Sequence, residues 1–356
     1  MLAKLHLPRS AFGDKECIVF ESAGIEVSAF RYDTGIEAIR LANARGFVVL
    51  LPYLGQMVWD ASFEGVRLTM GSLFDAPRPA QVILDTYGCY AYHSGLLRNG
   101  NPGPQDTHAP HGEMPVAPMD ACHLELDKSG AVKLVSTREY RRGFGAHYLA
   151  EPSVTLAPEQ TLFDITMQVR NLSGFAMDLM YMCHINPAFV EDGHIIQPAP
   201  WTPDHMTVRT AVPAHIPVTP AFQAQMAALA ADPGRMEILD PSLTYDPEQV
   251  FYLHGLRPDA DGVVHCMLRR PEGDGFAVSW RPDEFSHVVR WLMRNPDVQV
   301  AAFALPATCA PEGYTAERAK GTVRSLAPGA SAHFSVRTGY LDNKAAAALQ
   351  AAILPV

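Results

Sequence analysis

The feature that most constrains this chain is a period-two alternation of apolar and polar residues along most of its length. The segment 163–170, Phe-Asp-Ile-Thr-Met-Gln-Val-Arg, alternates without a break and ends in an Asn-Leu-Ser-Gly turn. Such alternation gives a strand one apolar face for a core and one polar face for water. Segments of similar strand character begin at Phe251, Val263, Phe276 and His333. The pattern therefore predicts many short strands joined by turns.

Two segments depart from this alternation and predict helices. The segment 219–234 starts with Thr-Pro and ends in Pro-Gly, and the segment 343–354 is rich in Ala. The 26 Gly and 29 Pro among 356 residues favour turns over long helices. No repeat or hydrophilic linker divides the chain, so we predict one all-β sandwich domain over 1–356, with its core at about 32–342.

The charge balance limits the partners that this chain can bind. With 28 Lys and Arg against 38 Asp and Glu, the net charge of −10 disfavours nucleic acids and anionic membrane surfaces. No apolar run approaches the roughly 20 residues of a membrane helix, and the N-terminus lacks a signal-peptide pattern. We therefore expect a cytoplasmic protein. The six Cys form no C-x-x-C pair and are expected to be buried and unpaired.

The longest segment without strand alternation runs from about 87 to 118 and is rich in Gly, Pro, Asn and His. Long irregular loops in compact domains are usually functional, and this one carries His93, His108, His111 and Glu113. If 110–115 is extended, His111 and Glu113 share a face. An imidazole beside a carboxylate can act as an acid/base pair or bind a divalent metal. The alternative is that these side chains only satisfy the backbone of a buried loop.

A second candidate is His184, which follows an apolar strand-like run and precedes the turn Asn186-Pro187. Strand ends are where sheets open to ligands, although a hydrogen-bonded core histidine is the alternative. Weaker candidates for substrate contact are Arg98, Arg290, Trp291 and Arg294, the carboxylates Asp246 and Glu248, and His147. Four histidines are expected at the surface, namely His6, His205, His215 and His333.

Four short motifs keep a common order along the chain. They are 51–60 (Leu-Pro-Tyr-Leu-Gly-Gln-Met-Val-Trp-Asp), His111-Gly112, 182–186 (Met-Cys-His-Ile-Asn), and 306–314 with its Pro-Ala-Thr and Glu-Gly-Tyr. Together they resemble the aldose 1-epimerase (galactose mutarotase-like) superfamily over about 32–342. The resemblance implies an all-β β-supersandwich with an open sugar-binding groove. It also implies that His111 and His184 contact the ring oxygen and hydroxyls of a small-molecule sugar.

One position departs from that family. The resemblance implies a catalytic Glu before a Pro-Ala-Thr motif, and alignment on Pro306 puts Leu305 at this place. Leucine cannot accept a proton, and Glu312 and Glu317 lie downstream of a turn. Glu113 is therefore our candidate for the replacement base.

The loss of that Glu leaves two roles open for the imidazoles of the irregular segment. His93, His108, His111 and Glu113 could hold a divalent metal such as Zn²⁺ or Mn²⁺, which would polarise a sugar oxygen. Otherwise His93 and His108 complete the substrate pocket.

Three hypotheses follow. The first is an isomerase or epimerase of the mutarotase-like superfamily that acts by proton transfer on a free monosaccharide or derivative. The second is a sugar-binding or regulatory protein that lost catalysis together with the Glu. The third is a metal-dependent lyase or hydrolase acting on modified sugars. A sugar is the expected partner in each case, and a homodimer remains open.

Overall fold

Strands make up most of this chain. The computed structural model describes residues 3–22, 24–210 and 218–354, so His215 lies outside the described residues. The first eleven strands are β1 (Ala3–His6), β2 (Cys17–Ser22), β3 (Ile25–Arg31), β4 (Glu37–Asn43), β5 (Gly46–Leu51), β6 (Met57–Phe63), β7 (Val66–Arg67), β8 (Ala91–Leu96), β9 (Ala121–Leu126), β10 (Val132–Arg141) and β11 (His147–Leu156). The others are β12 (Leu162–Asn171), β13 (Met177–Ile185), β14 (His194–Ile196), β15 (Met206–Val208), β16 (Gln249–Leu253), β17 (Val264–Arg269), β18 (Gly275–Trp280), β19 (His287–Arg294), β20 (Gln299–Ala307), β21 (Arg324–Leu326) and β22 (Ser331–Leu341).

The strands form two large antiparallel sheets, which confirms the predicted all-β class. The nine-stranded sheet has the order β1-β9-β10-β11-β12-β22-β18-β17-β14. The thirteen-stranded sheet has the order β15-β16-β19-β20-β13-β8-β6-β5-β4-β3-β2, and β21 and β7 pair beside this path with β13 and β6. Strands β8 and β13, which are far apart in the sequence, are therefore neighbours near the middle of the larger sheet.

The core lies between the two sheets and follows from the period-two pattern. In β12, Phe163, Ile165 and Met167 are buried, whereas the alternate side chains are partly covered or exposed. The ring of Phe163 lies 5.7 Å from that of Tyr90, which precedes β8 in the larger sheet. Each such side chain contributes about 1.5–3 kcal/mol through burial. The alternation seen in the sequence thus builds a sandwich.

Short helices flank the sheets. Helix α1 (Pro220–Ala231) lies in the segment predicted as helical, and the Thr219 hydroxyl accepts a hydrogen bond from the Phe222 amide at 3.2 Å. Helix α2 (Tyr314–Lys320) follows β20, and helix α3 (Asn343–Ile353) is capped by Asp342. No helix among the described residues has the length and apolar character needed to cross a membrane.

All six cysteines are unpaired, but one of them is not buried. Cys17 is exposed, contrary to the expectation for the set, because it lies on β2 at the edge of the thirteen-stranded sheet. The other five are buried. No disulfide therefore contributes to the stability of the described residues.

The pleat of β13 assigns its side chains to two faces. The ring of Tyr181 lies 4.9 Å from that of Phe334 in β22, so Tyr181 points between the sheets. Successive side chains on a strand point to opposite faces. Met182 and His184 consequently point away from the nine-stranded sheet, toward what we call the outer face.

Candidate active site

A cavity of about 330 Å³ lies on the outer face of the thirteen-stranded sheet. It is lined by alternate residues of β13 and β19, by one residue each of β16 and β20, and by parts of the irregular segment 87–118. His111 and His184 both line it, together with Trp291 and Glu248. We call it the histidine cavity. It brings together residues that lie far apart in the sequence.

The pairing of β8 with β13 positions His184. Tyr92 and His184 are register partners, and their rings stack with centroids 4.5 Å apart. His184 Nδ1 lies 2.7 Å from Asn186 Oδ1. The Asn186 amide group donates to the Cys89 carbonyl, so its Oδ1 is the acceptor and Nδ1 of His184 carries the proton. Nε2 of His184 is thus a hydrogen-bond acceptor.

Burial keeps the His184 ring neutral. Because desolvation disfavours the imidazolium, it lowers the pKa of His184 well below the usual 6.5, with a smaller contribution from the nearby His111. The ring centroids of these two histidines are 5.1 Å apart and the rings are nearly perpendicular.

His111 reaches the cavity through an unusual backbone turn. Its φ is +63°, and Gly112 has a φ of +81°. A Cβ at position 112 would lie 2.0 Å from the Arg98 carbonyl oxygen, so only glycine fits there. The His111 amide donates to the Gly100 carbonyl, and the His111 carbonyl accepts from the Gly95 amide, both at 2.9 Å. The loop is therefore held firmly against the end of β8.

A short hydrogen-bond chain sets the tautomer of His111. The Ser94 hydroxyl donates to Asn99 Oδ1 at 2.5 Å and lies 3.1 Å from His111 Nδ1. Since the hydroxyl proton is directed to Asn99, Nδ1 of His111 donates to Ser94, and Nε2 is left as an acceptor. Burial, with a smaller effect of His108, lowers the pKa of His111 to about 4. Both imidazoles of the histidine cavity are therefore neutral at pH 7.

A carboxylate stands on another wall of the same cavity. Glu248 Oε2 accepts a hydrogen bond from Trp291 Nε1 at 2.8 Å, and Oε1 is paired with Arg209. Arg209 Nη1 also lies 3.7 Å from Glu312 Oε1, which accepts from the Tyr252 hydroxyl. One guanidinium is therefore shared by two carboxylates.

The irregular segment does not bring its four candidate residues together. His93 lies on the face of β8 opposite to Tyr92, where its Nδ1 is 2.8 Å from the Tyr181 hydroxyl, and burial lowers its pKa to about 3. His108 and Glu113 line a second cavity of about 1240 Å³, which does not include His111. The predicted ligand set is therefore split among three places.

This separation corrects the expected metal centre. Within residues 3–22, 24–210 and 218–354, no three His, Cys, Asp or Glu side chains are grouped so as to hold a metal ion. The side chains present do not fit a divalent metal, because the pleat of β8 and the turn at His111-Gly112 direct the candidate ligands apart.

Glu113 lines the second cavity, where hydrogen bonds hold its carboxylate. Its Oε1 accepts hydrogen bonds from the amides of Leu96 and Leu97 at 2.9 and 2.8 Å, and from the Tyr148 hydroxyl at 2.9 Å. The expectation that His111 and Glu113 share a face assumed an extended backbone. The left-handed backbone at His111 and Gly112 turns Glu113 away instead.

The arginine candidates lie outside the histidine cavity. Arg98 lines the second cavity and stacks 3.6 Å above the Tyr314 ring. Arg290 is fully buried on the inner face, where it donates to the Phe303 carbonyl at 3.0 Å and to Gln197 Oε1 at 2.7 Å. Arg294 pairs with Glu191 near the surface.

Three other candidates are equally separate from it. Asp246 is exposed and accepts a hydrogen bond from Asn295. His147 Nε2 lies 2.8 Å from Glu139 Oε1, and neither cavity includes it. Glu317 is fully buried and accepts from the Ala310 amide at 3.2 Å.

Leu305 lines the histidine cavity, at the position where the resemblance implies a catalytic Glu. Its side chain is 1 % exposed. This wall of the cavity therefore offers no proton acceptor at that position.

Sequence reasoning missed four polar residues in or beside this cavity, namely Tyr87, Tyr92, Asn101 and Arg209. Tyr92 is adjacent to His93, and it can be chosen over His93 only when the faces of β8 to which the two side chains point are known. Arg209 carried no sequence signal, since an isolated Arg before an apolar segment is common on surfaces.

Comparisons with solved structures show which fold this is. A protein from Klebsiella pneumoniae that is provisionally described as an aldose 1-epimerase superposes with a TM-score of 0.79 at 15% identity, over 96% of this chain and 91% of that chain. A galactose mutarotase-like protein from Clostridium acetobutylicum gives a TM-score of 0.61 at 12% identity, over 90% and 99%. At such identities the likeness shows the fold alone, and it confirms the predicted galactose mutarotase-like sandwich.

Sequence comparisons add the family. No curated protein matches the chain. The family described as Domain of unknown function (DUF4432) matches residues 33–339, which is most of the chain. The chain therefore belongs to the DUF4432 family.

Proposed function

We propose that this protein is a carbohydrate epimerase of the aldose 1-epimerase type, which interconverts the anomers of a small reducing sugar in the histidine cavity. One observation carries the proposal. Two neutral imidazoles, with ring centroids 5.1 Å apart, line one cavity, and each has its Nδ1 engaged by a buried polar partner. Each Nε2 is then available to a ligand as a proton acceptor.

The reaction needs only one proton to move and return. An Nε2 of the pair takes the proton of the anomeric hydroxyl while the bond between C1 and the ring oxygen breaks. The resulting imidazolium returns a proton to the ring oxygen, which gives the open-chain aldehyde. Rotation about the C1–C2 bond and the reverse steps close the ring on the other face. Neither metal nor cofactor is required for this sequence, and atoms balance at each step.

The remaining polar wall orients the sugar. Trp291 presents an indole ring of the kind that stacks on the apolar face of a pyranose. Its Nε1 is held by Glu248, which fixes the ring, and Glu248 is in turn held by Arg209. Glu248 and Arg209 therefore form a preorganised polar side of the cavity, to which sugar hydroxyls can bind.

The test is exchange-NMR measurement of anomer interconversion with a panel of reducing sugars. The variants are His111→Asn and His184→Asn, because an Asn amide can keep the hydrogen bond to Ser94 or Asn186 while Nε2 is lost. Asn also tolerates the positive φ at position 111. Each variant should lose about 100- to 10,000-fold of the rate enhancement.

The matched control is His147→Asn, which alters a half-exposed histidine that neither cavity includes. It should retain full activity. Full activity of both cavity variants, with the wild type active, would contradict the proposal.

A second candidate function is a sugar-binding protein without catalysis. The observation that favours it is Leu305, which occupies the wall where the resemblance implies the base. In that case the wild type binds sugars but accelerates no anomer exchange, and the two Asn variants weaken binding only.

A further inference from the structure

The histidine cavity has few polar atoms that remain free for a ligand. Arg209 and Glu248 are paired with each other, and Trp291 Nε1 is used by Glu248. Among the hydrogen bonds of the described residues, none involves Nε2 of His111, Nε2 of His184 or the side chain of Asn101, which lies at the rim. Further positions come from the unengaged lone pairs of Glu248, from the N–H groups of Arg209 that face neither carboxylate, and from the Tyr87 hydroxyl, which lies 3.4 Å from the Tyr92 hydroxyl.

Apolar side chains form the rest of the lining. Met182, Val250, Val289 and Leu305 cover the floor and are buried. At the rim, Leu73 and Leu84 are 67% and 57% exposed, so they are available to contact a bound ligand.

A fully hydroxylated pyranose does not match this lining. Such a sugar carries hydroxyls on almost every ring carbon, and each buried hydroxyl without a partner weakens binding. A cavity of about 330 Å³ lies at the small end of the range of ligand pockets, roughly 300–1,000 Å³. It therefore encloses a single sugar closely and leaves little room for bridging waters.

From this mismatch we infer that the preferred substrate is a 6-deoxy sugar, in which a hydrogen replaces the hydroxyl on C6, so that a methyl group faces Leu305 and the apolar rim. This inference rests on the proposed function. The polar side of the cavity then meets the anomeric and neighbouring hydroxyls, and the apolar wall meets the deoxygenated carbon. An apolar pocket discriminates against one added hydroxyl by about 10- to 100-fold.

The experiment compares sugars that differ only at C6. D-fucose is paired with D-galactose, and L-rhamnose with L-mannose, and anomer exchange is measured for each by NMR. The deoxy member of at least one pair should have a kcat/KM about 10-fold higher or more. Equal or lower values for the deoxy member of both pairs overturn the inference, while the proposed function survives.

Variants at the rim test where the methyl group is recognised. Leu73→Gln and Leu84→Gln change exposed side chains, so folding should be unaffected. Both should reduce the preference for the deoxy sugar by several-fold, because they should lower kcat/KM for D-fucose and L-rhamnose more than for D-galactose and L-mannose. The matched control is Leu172→Gln, which alters a leucine of similar type on a distant turn and should leave the preference intact. An unchanged preference in both rim variants would overturn the assigned contact.

Binding measurements separate this inference from the proposed function. The methyl glycosides of the same sugars cannot anomerise, but they can bind, and saturation-transfer NMR with titration gives their relative affinities. Tighter binding of the deoxy glycosides without any exchange of the free sugars would reject the epimerase and support the deoxy-sugar preference. If the free sugars exchange their anomers, but affinities and kcat/KM are equal within both pairs, the epimerase is supported and the deoxy-sugar preference is rejected.

Discussion

Substitution of Glu113 distinguishes a catalytic carboxylate from a structural one. Its Oε1 accepts from two backbone amides and one hydroxyl. In Glu113→Ala both amides lose their partner, at about 1–3 kcal/mol each, so the free energy of unfolding should fall by about 2–6 kcal/mol. Glu113→Gln keeps an acceptor oxygen and loses only the charge, and it should cost about 1–3 kcal/mol, the difference between charged and neutral hydrogen bonds.

The assay joins equilibrium unfolding with turnover. Urea titration gives the unfolding free energy of each variant, and anomer exchange is measured at a temperature where the variant is folded. Folded Glu113→Gln should exchange its substrate at a rate close to that of the wild type, because Glu113 lines the second cavity. Glu248→Gln should have a similar stability cost, because it loses its charge opposite Arg209, but it should weaken turnover, because Glu248 lines the histidine cavity.

One result would refute this reasoning. If Glu113→Gln were as stable as the wild type and inactive, while Glu248→Gln were fully active, the proton acceptor would belong to the second cavity. The histidine cavity would then not be the reaction site.

Four further outcomes are expected. Because burial lowers the pKa of His111 to about 4, kcat/KM should persist at pH 5.5 and fall only toward pH 4, whereas loss already at pH 6 would contradict a buried base. Since the unfolded chain lets the same ring take up a proton below about pH 6.5, the contribution of this ring to stability should fall as the pH is lowered from 6.5 to 4, by up to about 1.4 kcal/mol per pH unit. His93 and His184, whose pKa burial also lowers, add to this fall. Arg290→Met should lower stability by about 2–6 kcal/mol, since two acceptors lose their donor, but leave the KM of the folded enzyme unchanged. In thiol titration of the native protein only Cys17 should react at once, and the other five thiols only after denaturation.

The sandwich could be predicted because its strands are amphipathic. Strand β12 has one buried and one partly covered face, so its period is visible in the sequence. The N-terminus of α1 was also visible, since Thr219 and Pro220 are local capping signals. Such features depend only on near neighbours in the chain.

Strand β8 could not be recognised in the same way. All of its residues are buried, so both faces lack a polar signal, and the segment Ala91–Leu96 read as part of an irregular loop. Consequently His93 was grouped with its sequence neighbours, although the pleat directs it to the inner face. When both faces of a strand are buried, its pairing partner decides to which face each side chain points. The partner of β8 is β13, which lies some eighty residues away.

The conformation of the loop that follows β8 has no clear signal in the sequence, for a different reason. An extended backbone was assumed through His111 and Glu113, but a non-glycine residue with positive φ is rare and has no strong sequence signal. The neighbouring Gly112 was a partial clue. Residues such as Glu248 and Arg209 were underrated because a tertiary contact, and not a local motif, brings them to the cavity.

The two cavity histidines reach the same chemical state by different routes. Asn186 follows His184 by two residues and accepts from its Nδ1, whereas Ser94 lies on β8 and accepts from Nδ1 of His111. In both cases a buried residue that does not line the cavity decides which ring nitrogen carries the proton. Substitution of Ser94 or Asn186 by Ala would free Nδ1 and let the tautomers exchange, so Nε2 would carry the proton part of the time. If these two substitutions lower activity, the cause would therefore be the changed tautomer of the His111 or His184 ring, because the residues that a substrate touches stay the same.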